Sequence, residues 1–261
     1  MSGLTPKTMI TRPHPSPFRL AVRAARAALS GELPPRYAGY RVSWRTDFKE
    51  LAGPALKPGA RVLDVGAGRR PMFPPDERPA GVTYVGLDVV RSELEAAPPG
   101  SYDEKVAADV TKPLASLERQ FDLIVSWQVF EHLHTVPAAL ENFYAYLRPG
   151  GYAIVSLSGR YSLFGILNML LPRRLGVGLV ARVMRRDPET VFPAYYNHCY
   201  WSALDKLLRP WSSVEIVTKW AGAGYFRSLV PLQAVYILYE EWAAASSRHN
   251  LATHYFLQLR K

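Results

Sequence analysis

The chain has 261 residues, of which 48% are apolar, and its formal net charge is +10 at pH 7. This length fits one large domain or a domain with an elaborate insert, and the apolar share excludes a disordered or fibrous protein. Cys199 is the only cysteine, which excludes an intrachain disulfide and predicts a reducing, cytoplasmic compartment.

The N-terminal segment is strongly basic. Residues 1–45 carry eight Lys or Arg side chains and a single acid, and the part spanning 16–30 predicts a basic amphipathic helix. Such a helix can lie on a membrane surface, pack on its own domain or act as a transit peptide. We expect residues 1–59 to form an N-terminal basic helix and cap, with peripheral membrane contact as an open alternative. The longest apolar run, near 162–172, is too short to span a bilayer.

From residue 60 onward, strand and helix patterns alternate along the chain. Near-continuous apolar stretches separated by short crossovers indicate a parallel sheet that is covered on both faces. The clearest helix spans 137–147, between Pro137 and the Pro149-Gly150 turn. The predicted strands are 61–65, 83–87, 104–107, 121–126 and 152–157.

The pattern changes after residue 158. Residues 160–193 are apolar and interrupted by prolines and glycines, and six arginines without an acid lie within 160–186. This composition predicts a small helical insert, and its place after the fifth strand puts it as a lid over the carboxyl-end crevice of the sheet. The remaining predicted elements are a helix at 201–208, a strand at 214–219, a helix near 229–243 and a last strand at 252–259, which could close the sheet as an antiparallel edge.

A glycine turn follows the first predicted strand. In "VLDVGAG" the carboxylate of Asp64 interrupts apolar residues and needs a partner, for which a ligand ammonium is one candidate. Gly66 and Gly68 allow a tight turn that brings backbone N–H groups to a ligand. Asp88 ends the second strand twenty residues after Gly68, where an acid accepts hydrogen bonds from the ribose of an adenosine-type cofactor. At this point NAD and S-adenosylmethionine fit equally well.

The residue at the end of the turn distinguishes these cofactors. A dinucleotide site uses Gly-x-Gly-x-x-Gly, which lets the start of a helix approach a pyrophosphate. Here the last position is Pro71, which has no N–H group to donate to a phosphate. The turn therefore favours S-adenosylmethionine, and we expect no binding of NAD or NADP.

Five stretches in the right order resemble the motifs of class I S-adenosylmethionine-dependent methyltransferases of the small-molecule type, which include the type 11-like enzymes. They are "VLDVGAG", "YVGLD", "AADVTKPL", "FDLIVSWQVFEHL" and "LRPGG", and they cover about residues 60–158. The resemblance implies a Rossmann-like α/β fold with a seven-stranded sheet, mostly parallel with an antiparallel last strand, in a methyltransferase domain over 60–261. The prolines after Pro71 depart from the family pattern and predict a shortened first helix.

The resemblance also implies roles for residues at the ends of the strands. Asp88 should bind the ribose, Val89 should pack on adenine, and Asp109 should accept from the adenine amino group. A turn cap before Thr111 is the alternative for Asp109, and a structural hydrogen bond is the alternative for His132. The expected cofactor-binding residues are Asp64, Gly66, Ala67, Gly68, Asp88, Val89, Asp109, Val110, Ser126, Trp127, Gln128 and His132, with Glu131 beside His132. No metal site is expected.

Three histidines are candidates for a general base that takes a proton from a hydroxyl acceptor: His132, His134 and His198. The last of them lies in "PAYYNHCYW", whose Tyr195, Tyr196 and His198 are expected to line an acceptor pocket. The alternative for this aromatic cluster is the core at the base of the insert.

The acceptor is expected to be an apolar or amphipathic small molecule, such as a natural product or a lipid or glycolipid precursor. The fourth strand ends in "SWQVF" rather than the Asn/Asp-Pro-Pro-aromatic turn that resembles enzymes methylating base nitrogens, so nucleic acid is the less favoured acceptor. O-methylation is the predicted reaction. The alternatives are an RNA methyltransferase that binds through charge alone and a cofactor-binding protein without catalysis. The basic segments 16–30 and 160–186 are the candidates for peripheral membrane contact.

Overall fold

The computed structural model describes residues 44–162, 193–220 and 230–261, together with single positions at 19, 22, 26, 165, 166 and 169. Most of the expected N-terminal helix over 16–30 lies outside the described residues. The same holds for most of the expected insert over 160–193.

Seven strands and five α-helices make up the described part of the chain, and most of their bounds differ from the predicted ones by no more than two residues. The strands are β1 (Arg61–Val65), β2 (Thr83–Asp88), β3 (Glu104–Ala107), β4 (Phe121–Trp127), β5 (Leu147–Ser158), β6 (Ser213–Lys219) and β7 (His254–Arg260). The helices are α1 (Arg45–Ala52), α2 (Arg91–Glu95), α3 (Val136–Tyr146), α4 (Trp201–Leu207) and α5 (Val230–Ala245).

The strands form one sheet in the order β3-β2-β1-β4-β5-β7-β6. Strands β1 to β5 pair in parallel, and β7 runs antiparallel between β5 and β6. This topology confirms the predicted fold, although β7 lies inside the sheet and β6 forms its edge. Because parallel strands end at a common edge, the turns after β1, β2 and β4 meet there, at the point where the strand order reverses.

Buried side chains cover both faces of the sheet. One core cluster lies between the sheet and helices α3, α4 and α5. The other lies under α1, where Phe48 is fully buried with its ring centroid 5.8 Å from that of Phe256 in β7. Residues 44–59, the described part of the segment expected to form an N-terminal helix and cap, thus contribute directly to the core of the sheet.

The crossover from β1 to β2 contains no α-helix. A single 3₁₀ turn, Pro75–Glu77, is the only helical piece between the glycine turn and Thr83. The expectation of a shortened first helix is therefore corrected, because the prolines remove the N–H donors that even a short α-helix needs. Met72 and Phe73, 3% and 4% exposed, fill the face of the sheet that a crossover helix would otherwise cover.

Hydrogen bonds from neighbouring elements hold this helix-free crossover in place. The Oδ2 atom of Asp64 accepts from the backbone N–H of Met72 at 2.7 Å and from the hydroxyl of Tyr84 at 2.9 Å. Arg78 donates from Nε to the carbonyl of Phe73 at 2.8 Å and from Nη2 to that of Ser101. Its guanidinium carbon lies 3.9 Å from the centre of the Tyr84 ring, in a cation–π contact.

No helix within the described ranges is long and apolar enough to cross a membrane.

Candidate active site

Backbone hydrogen bonds tie the glycine turn after β1 to the end of β2. The N–H groups of Gly66 and Ala67 both donate to the carbonyl of Leu87, at 2.8 and 3.2 Å. Gly66 has a φ of +72°, and a Cβ atom at this position would stand 2.2 Å from Cγ2 of Val129. Glycine is therefore required here by both backbone conformation and space, and the turn stays close to the segment after β4.

The carboxylate of Asp88 is oriented by two backbone donors. Its Oδ2 accepts from the N–H of Gly68 and its Oδ1 from the N–H of Val90, both at 2.9 Å. Each oxygen keeps a second lone pair, so the two carboxylate oxygens can accept hydrogen bonds from two neighbouring hydroxyl groups. Burial raises the pKa of Asp88, and the bonds from Val90 and Gly68 oppose that rise. The adjoining Val89 is 61% exposed and presents an apolar surface beside the carboxylate.

Asp109 caps the turn after β3. Its Oδ1 accepts from the N–H of Thr111 at 2.9 Å and from the Thr111 hydroxyl at 2.7 Å, which is the turn-cap alternative. Both bonds fall on one oxygen, so Oδ2 is the atom that could accept from an amino group. Val110 is buried, and its carbonyl accepts from Nδ2 of Asn142 at 2.8 Å.

The end of β4 supplies a third wall of the site. Ser126 is fully buried, and its Oγ has no hydrogen-bond partner within the described part of the chain. The ring of Trp127 packs edge-on against Phe48, with centroids 5.1 Å apart. Gln128 adopts a left-handed φ of 57° and donates its N–H to the carbonyl of Ser156 at 2.8 Å, so the chain turns sharply away from the sheet.

A polar network links Glu131 to β5. The Oγ atom of Ser158 lies 2.7 Å from Oε1 of Gln128 and 2.9 Å from Oε1 of Glu131, but a hydroxyl has a single hydrogen to donate. A protonated Glu131 resolves this, since its own O–H can donate to Ser158 and leave the Ser158 hydrogen for Gln128. Burial raises the pKa of Glu131, and the neighbouring His132 lowers it in part. The network ends where Nε2 of Gln128 donates to Oγ of Ser156 at 2.8 Å.

Two of the three candidate bases lie together beside this network. His132 has its Nδ1 atom 3.1 Å from the carbonyl oxygen of Pro193. Because a carbonyl can only accept, Nδ1 carries a hydrogen, and in the neutral form of the ring the lone pair then lies on Nε2. His134 is exposed, and its ring centroid lies 3.6 Å from that of Tyr195.

The segment 193–200 is anchored to the turn after β4. The N–H groups of Tyr195 and Tyr196 donate to the carbonyl of Glu131 at 2.7 and 3.1 Å. Tyr196 is 2% exposed and packs in the core under α3 and α4, so it lies where the core alternative placed it. His198 is exposed with a left-handed φ of 60°. Tyr195 is thus the tyrosine of this pair that remains partly accessible beside His132.

The family model for the methyltransferase domain matches residues 37–215 of the chain, which is more than half of its length. The chain belongs to this family. It is a methyltransferase whose methyl donor is S-adenosylmethionine.

Part of the methyltransferase is similar in sequence to ubiquinone biosynthesis O-methyltransferases. It is 30% identical to the one from Chelativorans sp. over 112 residues, and this alignment covers 41% of this chain and 44% of that relative. With the one from Bradyrhizobium sp. it is 32% identical over 107 residues, covering 39% and 41% of the two chains. The match therefore spans less than half the length of these relatives.

Solved structures share the fold. A methyltransferase from Thermotoga maritima, described as a possible histamine N-methyltransferase, superposes with a TM-score of 0.53 at 14% identity over 93% of this chain and 99% of its own. Phosphoethanolamine N-methyltransferase 2 from Haemonchus contortus, in complex with phosphomonomethylethanolamine and S-adenosylhomocysteine, gives 0.52 at 12% identity over 84% and 52%. At these identities the likeness establishes the fold alone.

The residues of the methyltransferase fit S-adenosylmethionine. Asp88 keeps one lone pair on each oxygen for a ribose diol, and the exposed Val89 offers an apolar surface for an adenine ring. The crossover after the glycine turn has no α-helix, so it lacks the helix N-terminus that binds a pyrophosphate. This absence agrees with the inference from Pro71 that the site takes a cofactor without phosphates.

Asp64 lies beneath the glycine turn, where the protein itself supplies two donors to its Oδ2 atom. A ligand ammonium is thus not needed to satisfy this carboxylate. Burial raises the pKa of Asp64 to about 6, while the bonds from Met72 and Tyr84 and the charges of Arg45 and Arg78 oppose the rise. Arg45 also lies with its guanidinium carbon 5.8 Å from the centre of the Trp127 ring, at the end of β4.

Asp64 should make the stability of the methyltransferase pH-dependent. The folded state binds the proton more tightly than the unfolded chain, whose Asp titrates near about pH 4. The stability from protonated Asp64 is therefore complete below about pH 4 and is lost as the pH rises through about 6. The loss is about 3 kcal/mol in the free energy of unfolding, and Asp64→Asn should lack it. Between about pH 5 and about pH 8, denaturant titrations should show about half of this loss, about 1.4 kcal/mol, in the wild type and none of it in Asp64→Asn. A stability difference between the two proteins that is the same at both pH values would contradict the assignment.

Several residues of the site have no local signal in the sequence. The hydroxyl oxygen of Tyr102 lies 2.9 and 3.1 Å from the carbonyl oxygens of Ala67 and Gly68, and its one hydrogen can be donated to either, so it supports the turn from below. The one hint of it is Gly86 within β2, since a Cβ there would stand 2.7 Å from the Tyr102 ring. Arg45 and Ser158 were missed as well, because neither belongs to a recognisable motif.

Proposed function

We propose that the protein methylates a hydroxyl group of an apolar or amphipathic small molecule, with His132 as the general base. The observation that carries this proposal is the hydrogen bond from Nδ1 of His132 to the carbonyl of Pro193. In the neutral ring this bond leaves the lone pair on Nε2, and His132 follows β4 at the carboxyl edge of the sheet, where we expect the neighbouring turns to bind the cofactor.

Bound S-adenosylmethionine supplies a methyl group on a sulfonium, which is electrophilic without help from a metal. The residues of this chain hold the cofactor and prepare the acceptor. Nε2 of His132 accepts the hydroxyl proton, which leaves an imidazolium on the enzyme and an oxygen nucleophile on the acceptor. The carbonyl of Pro193 continues to accept from Nδ1 and stabilises that imidazolium.

The surroundings of His132 support an acceptor with apolar parts. The stacked rings of His134 and Tyr195 form an aromatic surface next to it, and aromatic surfaces are typical of small-molecule pockets. The insert over 160–193, which we propose as a lid, is rich in apolar residues and arginine. The relatives named for ubiquinone biosynthesis act in making a lipophilic quinone, which is consistent with an acceptor of this class.

The basic segments 16–30 and 160–186 are compatible with contact to an anionic membrane surface, and we include that contact in the proposal. We favour a small-molecule acceptor over nucleic acid, since β4 ends in Ser126-Trp127 and is followed by Gln128, without an Asn/Asp-Pro-Pro turn.

The test is transfer of labelled methyl groups from S-adenosylmethionine to a series of phenols whose alkyl tails grow in length. The matched series of anilines carries the same tails and differs in the acceptor atom. We expect transfer to the phenols, rising with tail length, and little transfer to the anilines. Methyl transfer to the anilines alone would contradict the proposed hydroxyl acceptor. A transfer rate that does not change with tail length would contradict the proposed apolar character of the acceptor.

A further inference from the structure

Helix α5 presents apolar side chains outward and polar ones inward. Leu232, Val235 and Trp242 are 44%, 62% and 48% exposed. On the same helix Glu240 and Glu241, at 1% and 4% exposed, are buried. Apolar residues of the helix are buried as well, among them Ile237 at 1% exposed. The helix is therefore apolar on its outer side too, whereas the outer side of an ordinary surface helix is polar.

The exposed residues form one stripe. Positions 232, 235, 239 and 242 follow the spacing of residues on one side of an α-helix, and the half-buried Tyr239 completes the row with its ring 6.2 Å from that of Trp242. We call Leu232, Val235, Tyr239 and Trp242 the α5 stripe. At one end, Arg248 holds its guanidinium carbon 6.0 Å from the centre of the Trp242 ring.

We infer that the α5 stripe is a docking surface for an anionic lipid bilayer. Burial of the apolar side chains in the acyl boundary supplies the attraction, and the rings of Tyr239 and Trp242 have the mixed character favoured at the boundary between lipid and water. Arg248 at the end of the stripe can meet lipid phosphates.

Charge favours an anionic surface. The two acids of α5 are buried, so the exposed face of the helix over 231–245 carries no negative charge. The net charge of +10 comes from residues 1–45 and 160–186, which together carry +13, and these segments attract the chain to negatively charged lipids from a distance.

The size of the stripe argues against a second copy of the chain as its occupant. The exposed parts of three side chains cover far less than the about 800 Å² per partner that a stable dimer buries. A bilayer does not need a surface of matching shape, so a short stripe with a basic end is sufficient for reversible contact.

The stripe is connected to the end of the sheet that carries the site. Oε1 of Glu240 accepts from the hydroxyl of Thr253 at 2.9 Å, and the carbonyl of Thr253 accepts from the N–H of Gly159 at 2.7 Å, directly after β5. Docking through α5 would thus hold the carboxyl edge near the lipid. The further idea that the active site takes its acceptor from the bilayer rests on the proposed function. The docking surface itself does not rest on it.

The experiment is co-sedimentation of the full chain with phosphatidylcholine vesicles that do or do not contain phosphatidylglycerol. The variant is Val235→Asp in the stripe, and the matched control is Val214→Asp, which changes an exposed valine on β6. We expect Val235→Asp to lower binding to the anionic vesicles by about tenfold, because it removes apolar burial and adds repulsion. Val214→Asp should bind as the wild type does, and vesicles without phosphatidylglycerol should bind the wild type weakly.

Leu232→Ser, with a thermal midpoint measured for every variant, provides a second test if Val235→Asp does not fold. Equal vesicle binding by wild type and a folded stripe variant would overturn the inference. A second result would also overturn it: the wild type forms a dimer and does not bind vesicles, and Val235→Asp dissociates that dimer. The stripe would then join two copies of the chain. S-adenosylmethionine titrations separate the two proposals: vesicle binding through the stripe without cofactor binding leaves the docking surface standing and refutes the proposed function.

Discussion

Replacing Asp88 by alanine is expected to weaken S-adenosylmethionine binding by about 2–4 kcal/mol, because two charge-assisted hydrogen bonds to the ribose are lost. The two backbone donors on this carboxylate leave one lone pair per oxygen, which is the geometry that a diol needs. Isothermal titration of the folded variant measures the change.

Asp88→Ala also releases the N–H groups of Gly68 and Val90, so a control must separate ligand binding from support of the turn. Glu93→Gln is the matched carboxyl change: Glu93 lies next to Asp88 but pairs with Arg69, whose Nε donates to it at 2.8 Å. It should bind the cofactor nearly as the wild type does. If Asp88→Ala lowers the thermal midpoint but leaves the affinity unchanged, Asp88 supports the turn and does not bind ribose.

His132→Asn is expected to lower kcat by about a hundredfold or more while cofactor affinity is kept. Asparagine can place an amide N–H where Nδ1 of His132 donates to Pro193, but it has no basic nitrogen in the position of Nε2. The variant therefore retains the structural hydrogen bond and loses the base. Turnover on the best phenol of the acceptor series measures the effect.

The other two histidines serve as controls for the His132 variant. His134→Ala removes one ring of the aromatic surface and should raise KM for the acceptor more than it lowers kcat. His198→Ala changes an exposed residue and should leave both constants nearly unchanged. If His132→Asn turns over normally and one of these does not, the base has been assigned to the wrong residue. If none loses turnover, the acceptor needs no histidine.

The sequence by itself determined where the strands lie along the chain and which turns follow them. Apolar runs such as residues 84–87 are long enough to be buried strands and too short to be buried helices, and the turn residues between them have few alternatives. The glycine turn and Asp88 could be located because their function depends on local backbone geometry, and their spacing along the chain preserves that geometry. Pro71 pointed to the right cofactor for the same reason.

Tertiary contacts decided what the local pattern leaves open. The partners of Asp64 are Met72 and Tyr84, one of which lies in a helix-free crossover and the other on a neighbouring strand. Likewise, the side chain of Glu131 meets Ser158, which strand pairing brings close from 27 residues away.

Sequence patterns also leave open which side chains of a helix or of an aromatic cluster are buried. Tyr195 and Tyr196 are chemically alike neighbours, yet one stays beside His132 and the other is buried in the core, because the turn at Glu131 orients the backbone between them. On α5 the sequence contains both apolar and acidic residues, and the packing of Glu240 against Thr253 decides which of them face outward. Burial is a property of the assembled fold, so the sequence supplied the candidate residues, and the folded chain decided which of their side chains are accessible.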